Sequence, residues 1–219
     1  AVAGLELAFR YVPGQAEAEI GGDWYDAFVL PSGRVAIAVG DVMGKGLSAA
    51  SCMGRVRYAL RAFAFSDPHP AAVLAGLDGL FAATEGQETL ATVVYGVVDP
   101  GSGMVHMGDA GHPPVLVIRA GGVVELVDAG PGTTPLGWAE PRELTATVRL
   151  GPGDTLLGFT DGLVENRSRA LEAGLEVLMT AAREAAGQEL QALCDHVLAR
   201  PLAGQRRDDD VTLLAVRKR

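Results

Sequence analysis

The chain has 219 residues, 48% of them hydrophobic and 21% charged, which provides for a substantial core and excludes disorder by composition. Its formal net charge of −9 argues against a nucleic-acid backbone as partner. No apolar run is long enough to span a bilayer, and no signal peptide, repeat or low-complexity linker interrupts the sequence, so it reads as a single domain over 1–219. Strand pattern begins within a few residues of Ala1, as expected of a domain excised from a longer protein.

Leu5 to Val12 alternates apolar and polar residues and predicts a strand. Trp24 to Leu30 and Arg34 to Val42 predict a hairpin that turns at Pro31-Ser32-Gly33. Its far strand, Val35 to Val39, is continuously apolar, as in a strand covered on both faces. From Gly46 the period changes to that of a helix. Ala49, Met53, Val56, Leu60 and Phe63 form an inner stripe, Arg55, Arg57 and Arg61 a solvated face, and Asp67-Pro68 the stop. A second helix follows from Pro70, with Val73, Leu77, Leu80 and Phe81 inward.

Strands return over Leu90 to Val98, Gly103 to Asp109, Val115 to Arg119, Val123 to Val127, Glu143 to Leu150 and Thr155 to Thr160. Two more helices carry Leu171, Leu175 and Leu178, then Leu190, Leu193 and Val197, and Val211 to Val216 closes the chain as a strand. Hairpin-connected strands with helices inserted in pairs predict an α+β plan of antiparallel sheets with helices packed outside. Cys52 and Cys194 lie far apart within predicted helices and match neither a zinc motif nor a disulfide framework. Two buried free thiols in a reducing, cytoplasmic setting are expected. Trp24 and Trp138 are read as packing residues.

The chemistry lies in four acidic turns: Gly21-Gly22-Asp23-Trp24-Tyr25-Asp26, Gly40-Asp41-Val42-Met43-Gly44-Lys45-Gly46, Phe159-Thr160-Asp161-Gly162 and Arg207-Asp208-Asp209-Asp210-Val211-Thr212. Each aspartate sits where an apolar run meets a glycine or polar turn, the place from which a strand end aims a carboxylate into a cleft. Carboxylates sharing a cleft must protonate unless a cation neutralises them. Mg²⁺ and Mn²⁺ are the natural partners of an all-oxygen site. Asp23 and Asp41 mark the ends of adjacent hairpin strands, where they could share a cation. Either motif alone is equally well explained as a turn. Asp161 ends a buried strand and needs a partner or a cation, and Asp209 precedes the closing strand in the same fashion.

The glycines around Lys45 lack Walker spacing and are explained by a tight turn into the helix. Ser48 and Ser51 have no His or Asp placed to activate them, so a catalytic triad is not expected. His112, in Ala110-Gly111-His112-Pro113-Pro114, is read equally as a loop residue and as a group near the cleft. Thr134-Pro135-Leu136-Gly137 is read as a structural turn.

The order GGDWYD, GDVMGKG, AGHPP, TPLG, FTDG and DDDVT resembles the bacterial SpoIIE/RsbU-like branch of the metal-dependent protein phosphatases (PPM, protein phosphatase type 2C). The resemblance runs from about Leu5 to the C-terminus. It implies a four-layer α-β-β-α sandwich of two antiparallel sheets flanked by helix pairs. It also implies a protein serine/threonine phosphatase with two divalent cations, Mn²⁺ or Mg²⁺. Asp41 would bridge the two ions, helped by the Val42 carbonyl, and Asp23, Asp161 and Asp209 would complete the shells, directly or through water. On this resemblance Asp23 and Asp41 would be the catalytic carboxylates. Asp210, Gly162 and His112 would stand behind the ligands or meet substrate, and Asp208 would be a solvated charge. Such a pair of ions supplies water activation near neutral pH, so no side-chain nucleophile is required.

The family usually has Asn where this chain has Asp109. The arginine that grips phosphate in the eukaryotic relatives has no counterpart in Gln15 to Ile20. The implied substrate is a phosphorylated STAS-type anti-anti-sigma factor, under control of a linked or separate sensor module, with no membrane role for this domain. A catalytically weak regulatory domain and a hydrolase of small phosphoesters are the alternatives on the same fold.

Overall fold

The computed structural model describes residues 3–14, 21–85, 89–130, 133–138, 142, 146–204 and 209–219. In chain order the strands and helices begin with β1 (Leu5–Val12), β2 (Trp24–Val29), β3 (Val35–Val42), α1 (Leu47–Ser66) and α2 (Pro70–Thr84). They continue with β4 (Ala91–Val98), β5 (Met104–Ala110), β6 (Val115–Ile118), β7 (Val124–Val127), β8 (Ala146–Arg149) and β9 (Thr155–Phe159). A 3-10 turn over Asp161–Leu163, α3 (Leu171–Ala185), α4 (Leu190–Leu202) and β10 (Val211–Lys218) complete the chain. The expected Glu143 to Leu150 strand is seen from Ala146; its first three residues lie outside the described residues.

The chain divides into two compact units. One holds an antiparallel sheet in the order β1-β10-β9-β6-β7, with α3 and α4 against one face. Ala8, Leu157, Phe159, Leu213 and Ala215 of the sheet meet Leu178, Ala182, Leu193 and Val197 of the helices. Residues Val211 to Val216 of β10 are all buried, Thr212 among them.

The other unit holds an antiparallel sheet in the order β2-β3-β4-β5-β8, covered on one face by α1 and α2. The buried stripe of α1 is Ala49, Cys52, Val56, Leu60 and Ala64, with Met53 and Phe63 flanking it, so the expected stripe is rotated slightly. On α2, Leu74 is inward and Leu80 is exposed, reversing the expected placement of Leu80. Pro70 opens α2 at a position where the missing N–H costs nothing. Each unit supplies one antiparallel sheet and one helix pair, so the chain holds the two antiparallel sheets and two helix pairs of the expected α+β plan. Among the described residues no helix is long and apolar enough to cross a membrane.

Several side chains take roles that the sequence did not announce. Arg57 and Arg61 are not a free solvated face. Asp26 on β2 is only 2% exposed, and the Arg61 guanidinium donates to both of its oxygens at 2.6 Å while Arg57 approaches to 3.4 Å. Burial alone would raise the Asp26 carboxyl, but hydrogen bonds from Arg61 and Arg57 outweigh it and hold the group below its ordinary range. Arg55 is likewise paired with Glu85 at 2.8 Å. Trp138 is 59% exposed and is not a core residue, whereas Trp24 is buried. Both cysteines are buried free thiols, with burial pushing each up to about 11.

Candidate metal centre

In the unit built on β2–β5 and β8, the hairpin register brings two of the expected ligands together. Trp24 lies opposite Gly40, and the Val42 N–H donates to the Gly22 carbonyl at 3.2 Å. Asp23 therefore falls opposite Asp41, in a pair without mutual backbone hydrogen bonds, where Cα atoms are about 4.5 Å apart and side chains share a face. That face is the one opposite α1 and α2, since Ala36, Ala38 and Val42 are the β3 residues that point to the helices. Asp23 is buried and Asp41 half-buried.

Two like charges opposed across a hairpin repel each other, and a cation between them removes that cost. A Cβ on Gly22 would sit 1.9 Å from the Val42 carbonyl oxygen, so only glycine permits this close approach. The donor set of two carboxylates and a carbonyl is that of a hard divalent cation. Gly44 and Gly46, with φ of 109° and 83°, then turn the chain from Asp41 into α1.

The other unit holds the second pair. Asp161 opens the 3-10 turn that follows β9, and burial, then the nearby Asp209 charge, raise its carboxyl above the ordinary value. Gly162 packs against the chain of Asp209 and Asp210: a Cβ there would lie 2.1 Å from the Asp210 carbonyl oxygen. Gly162 is thus a packing position in this unit.

Asp210 has both carboxylate oxygens engaged, accepting from the Tyr11 hydroxyl at 2.6 Å and the Gly14 N–H at 2.7 Å. It anchors the end of β1. Asp209 is exposed, and its carboxylate accepts the Asp210 N–H at 2.9 Å. Of these two it is the one with room for a cation. Asp208 and the segment from Gln15 to Ile20 lie outside the described residues. Among the described residues no group of three or more His, Cys, Asp or Glu side chains is gathered as a metal site. Each unit brings together two carboxylates, and the residues fit a cation pair by pair.

His112 is 8% exposed, and its Nδ1 lies 2.9 Å from the Thr92 hydroxyl. Thr92 pairs with Asp41 across the β3–β4 ladder. His112 thus lies one side-chain contact away from the residue that stands opposite Asp41. Sequence reasoning assigned no partner to four buried polar residues. These are Asp26, Asp109 and the pair of Asp78 with Arg142, whose N–O separation is 3.2 Å. Arg142 also donates to the Thr134 and Pro135 carbonyls at 2.6 and 2.9 Å, and the Gly137 N–H donates to Asp78 at 2.7 Å. The turn at Thr134 to Gly137 is thus clamped onto α2. The i, i+4 spacing of Arg57 and Arg61 was the one available hint of a shared partner.

Replacing Gly22 with alanine should cost about 1–3 kcal/mol through overpacking and should weaken metal binding, because the added methyl displaces the Val42 carbonyl. Thermal melting with and without Mn²⁺ reads both effects. A variant that melts and responds like the parent removes the close-approach argument.

Solved structures that share this fold include PP2C domains. The SpoIIE phosphatase domain of Bacillus subtilis matches with a TM-score of 0.78 at 20% identity, over 97% of this chain and 63% of that one. The RsbU and RsbW domains of Rv1364c from Mycobacterium tuberculosis match with a TM-score of 0.89 at 34% identity, over 100% of this chain and 61% of that one. The family model described as Stage II sporulation protein E (SpoIIE) matches residues 31–219. The chain belongs to the SpoIIE family, within the SpoIIE/RsbU-like branch of the metal-dependent protein phosphatases.

Among curated relatives, Protein IcfG of Synechocystis is 28% identical over 229 residues, 90% of this chain and 36% of that protein. The phosphoserine phosphatase RsbU of Bacillus subtilis is 26% identical over 167 residues, 75% of this chain and 48% of that protein. The chain thus spans less than half the length of either relative.

Proposed function

We propose that this chain is a metal-dependent protein phosphatase that hydrolyses phosphoserine or phosphothreonine, with a STAS-type anti-anti-sigma regulator as its phosphoprotein substrate. The observation that carries the reading is the placement of Asp23 opposite Asp41 at one end of the β2–β3 hairpin, beside the Val42 carbonyl that Gly22 approaches closely. Family membership supports it, as do the phosphoserine phosphatases RsbU and RsbP among the relatives.

Asp41, Asp23 and the Val42 carbonyl would hold a divalent cation, Mn²⁺ or Mg²⁺, in the one unit, and Asp161 and Asp209 would offer carboxylate ligands from the other, for two such cations in all. When bound, the cations supply an activated water and neutralise the phosphoryl oxygens. Asp41 and Asp23 hold the charge that fixes the cations, and the Val42 carbonyl adds a neutral donor. Asp210 holds the strand end behind Asp209, and Gly162 permits the close packing of the two segments. A linked or separate sensor module would govern the activity.

Phosphate release from a phosphorylated STAS protein tests this, with Mn²⁺, Mg²⁺ or EDTA present and p-nitrophenyl phosphate as the small-ester control. Metal-dependent release from the phosphoprotein, faster than from the small ester, is expected. A preference for the small ester favours the phosphoester reading. No release from either substrate at saturating metal favours the catalytically weak one.

Carboxylates that repel one another in the metal-free protein also predict that millimolar Mn²⁺ raises the melting temperature. At a hundred times the dissociation constant the gain is about 2.7 kcal/mol. An unchanged melting temperature with both ions would mean that the carboxylates do not form a cation site.

A further inference from the structure

The β4–β5 end of the same unit carries a hydrogen-bonded set that the function proposed above does not use. Asp109, at the end of β5, is 4% exposed. Its carboxylate accepts the His112 N–H, at 3.3 Å on Oδ1 and 3.1 Å on Oδ2, and also the Thr133 hydroxyl. Thr133 in turn accepts the Gly111 N–H at 3.0 Å. The turn between β5 and β6 is therefore closed by side chains on both sides of His112. Its imidazole reaches the Thr92 hydroxyl at 2.9 Å, and Thr92 stands across the β3–β4 ladder from Asp41.

A hydroxyl beside a carboxylate on the same face of a sheet restricts the carboxylate's rotamers, and it does so only if its own orientation is fixed. His112 supplies that fixing, and Asp109 with Thr133 supplies the fixing of His112. We propose that Asp109, Thr133 and His112 are positioning residues that act through Thr92 to hold Asp41 in the orientation that binds metal. The inference rests on the reading of Asp41 as a metal ligand. The groups that support metal ligands in this way are typically worth 10- to 100-fold in affinity.

Mn²⁺ titration by calorimetry of the parent, Thr92→Val, Thr92→Ser, His112→Phe and Asp41→Asn proteins tests it, with metal-free melting as the fold control. Thr92→Val and His112→Phe should weaken Mn²⁺ binding by about 10-fold or more. Thr92→Ser, which keeps the hydroxyl, should stay close to the parent, a rescue that a merely space-filling role for Thr92 does not predict. Should Thr92→Val fail to fold, His112→Phe reads the same contact from its other side. Folded Thr92→Val or His112→Phe with parental affinity, while Asp41→Asn loses binding, overturns this inference alone. Parental affinity in Asp41→Asn overturns it together with the metal-ligand reading.

Discussion

Replacing Asp41 with asparagine is expected to lower phosphatase turnover on the order of 10³-fold or more while leaving the fold intact. The substitution keeps the shape of the side chain and removes the charge on which a bridging role depends. Its structural consequence has the opposite sign. In the metal-free protein Asp41 stands opposite Asp23 across the β2–β3 hairpin, and opposed like charges on one sheet face destabilise it. Asp41→Asn relieves that repulsion, so its melting temperature in EDTA should equal or exceed that of the parent. The rise on adding Mn²⁺ should be lost.

The two readouts separate a ligand from a residue that merely supports the fold. A structural aspartate would show a lower melting temperature in EDTA and an unaltered response to metal. Appreciable turnover by a folded, metal-saturated Asp41→Asn protein would sink the assignment.

Much of this unit was legible in the sequence because local signals agreed with one another. Pro31-Ser32-Gly33 fixes the hairpin turn, the turn fixes the register of β2 on β3, and the register alone puts Asp23 across from Asp41. Asp161 was legible for a similar reason, at the end of the apolar run of β9. The sequence did not show which partner each buried charge takes. Asp26 meets Arg61 across 35 positions and Asp78 meets Arg142 across 64, so those choices follow from the packing of helix on sheet. The arginines of α1 read as solvated because periodicity reports only which face of a helix is apolar. It does not report whether the opposite face meets a strand-borne carboxylate. Leu80 and Trp138 erred the other way, as apolar residues that the packing leaves at the surface.

Asp109 gives the second large effect, and it is a dependence on pH. Burial pushes this carboxyl up to about 7 from an ordinary 3.8, outweighing the hydrogen bonds from Thr133 and from the His112 and Gly111 N–H groups. The Asp128 carboxylate adds repulsion. Below the ordinary value the folded and unfolded chains both carry the proton, and folding is unaffected. Between that value and about 7 the folded chain keeps a proton that the unfolded chain has released, so stability falls as pH rises. Above about 7 both states are ionised, and the whole penalty, on the order of 4 kcal/mol, is present.

Asparagine, the residue usual at this position in the family, accepts through its oxygen and never ionises. Asp109→Asn should therefore melt close to the parent near the acid end of the range. By pH 8 it should melt higher, by roughly 10 °C for a chain of this size. EDTA in every sample keeps metal binding out of the comparison, and changes common to both proteins cancel in the difference. A gap that stays constant with pH would show that Asp109 is ionised in the fold throughout. A parent that melts higher than Asp109→Asn at pH 8 would mean that the ionised carboxylate is stabilised by its three donors.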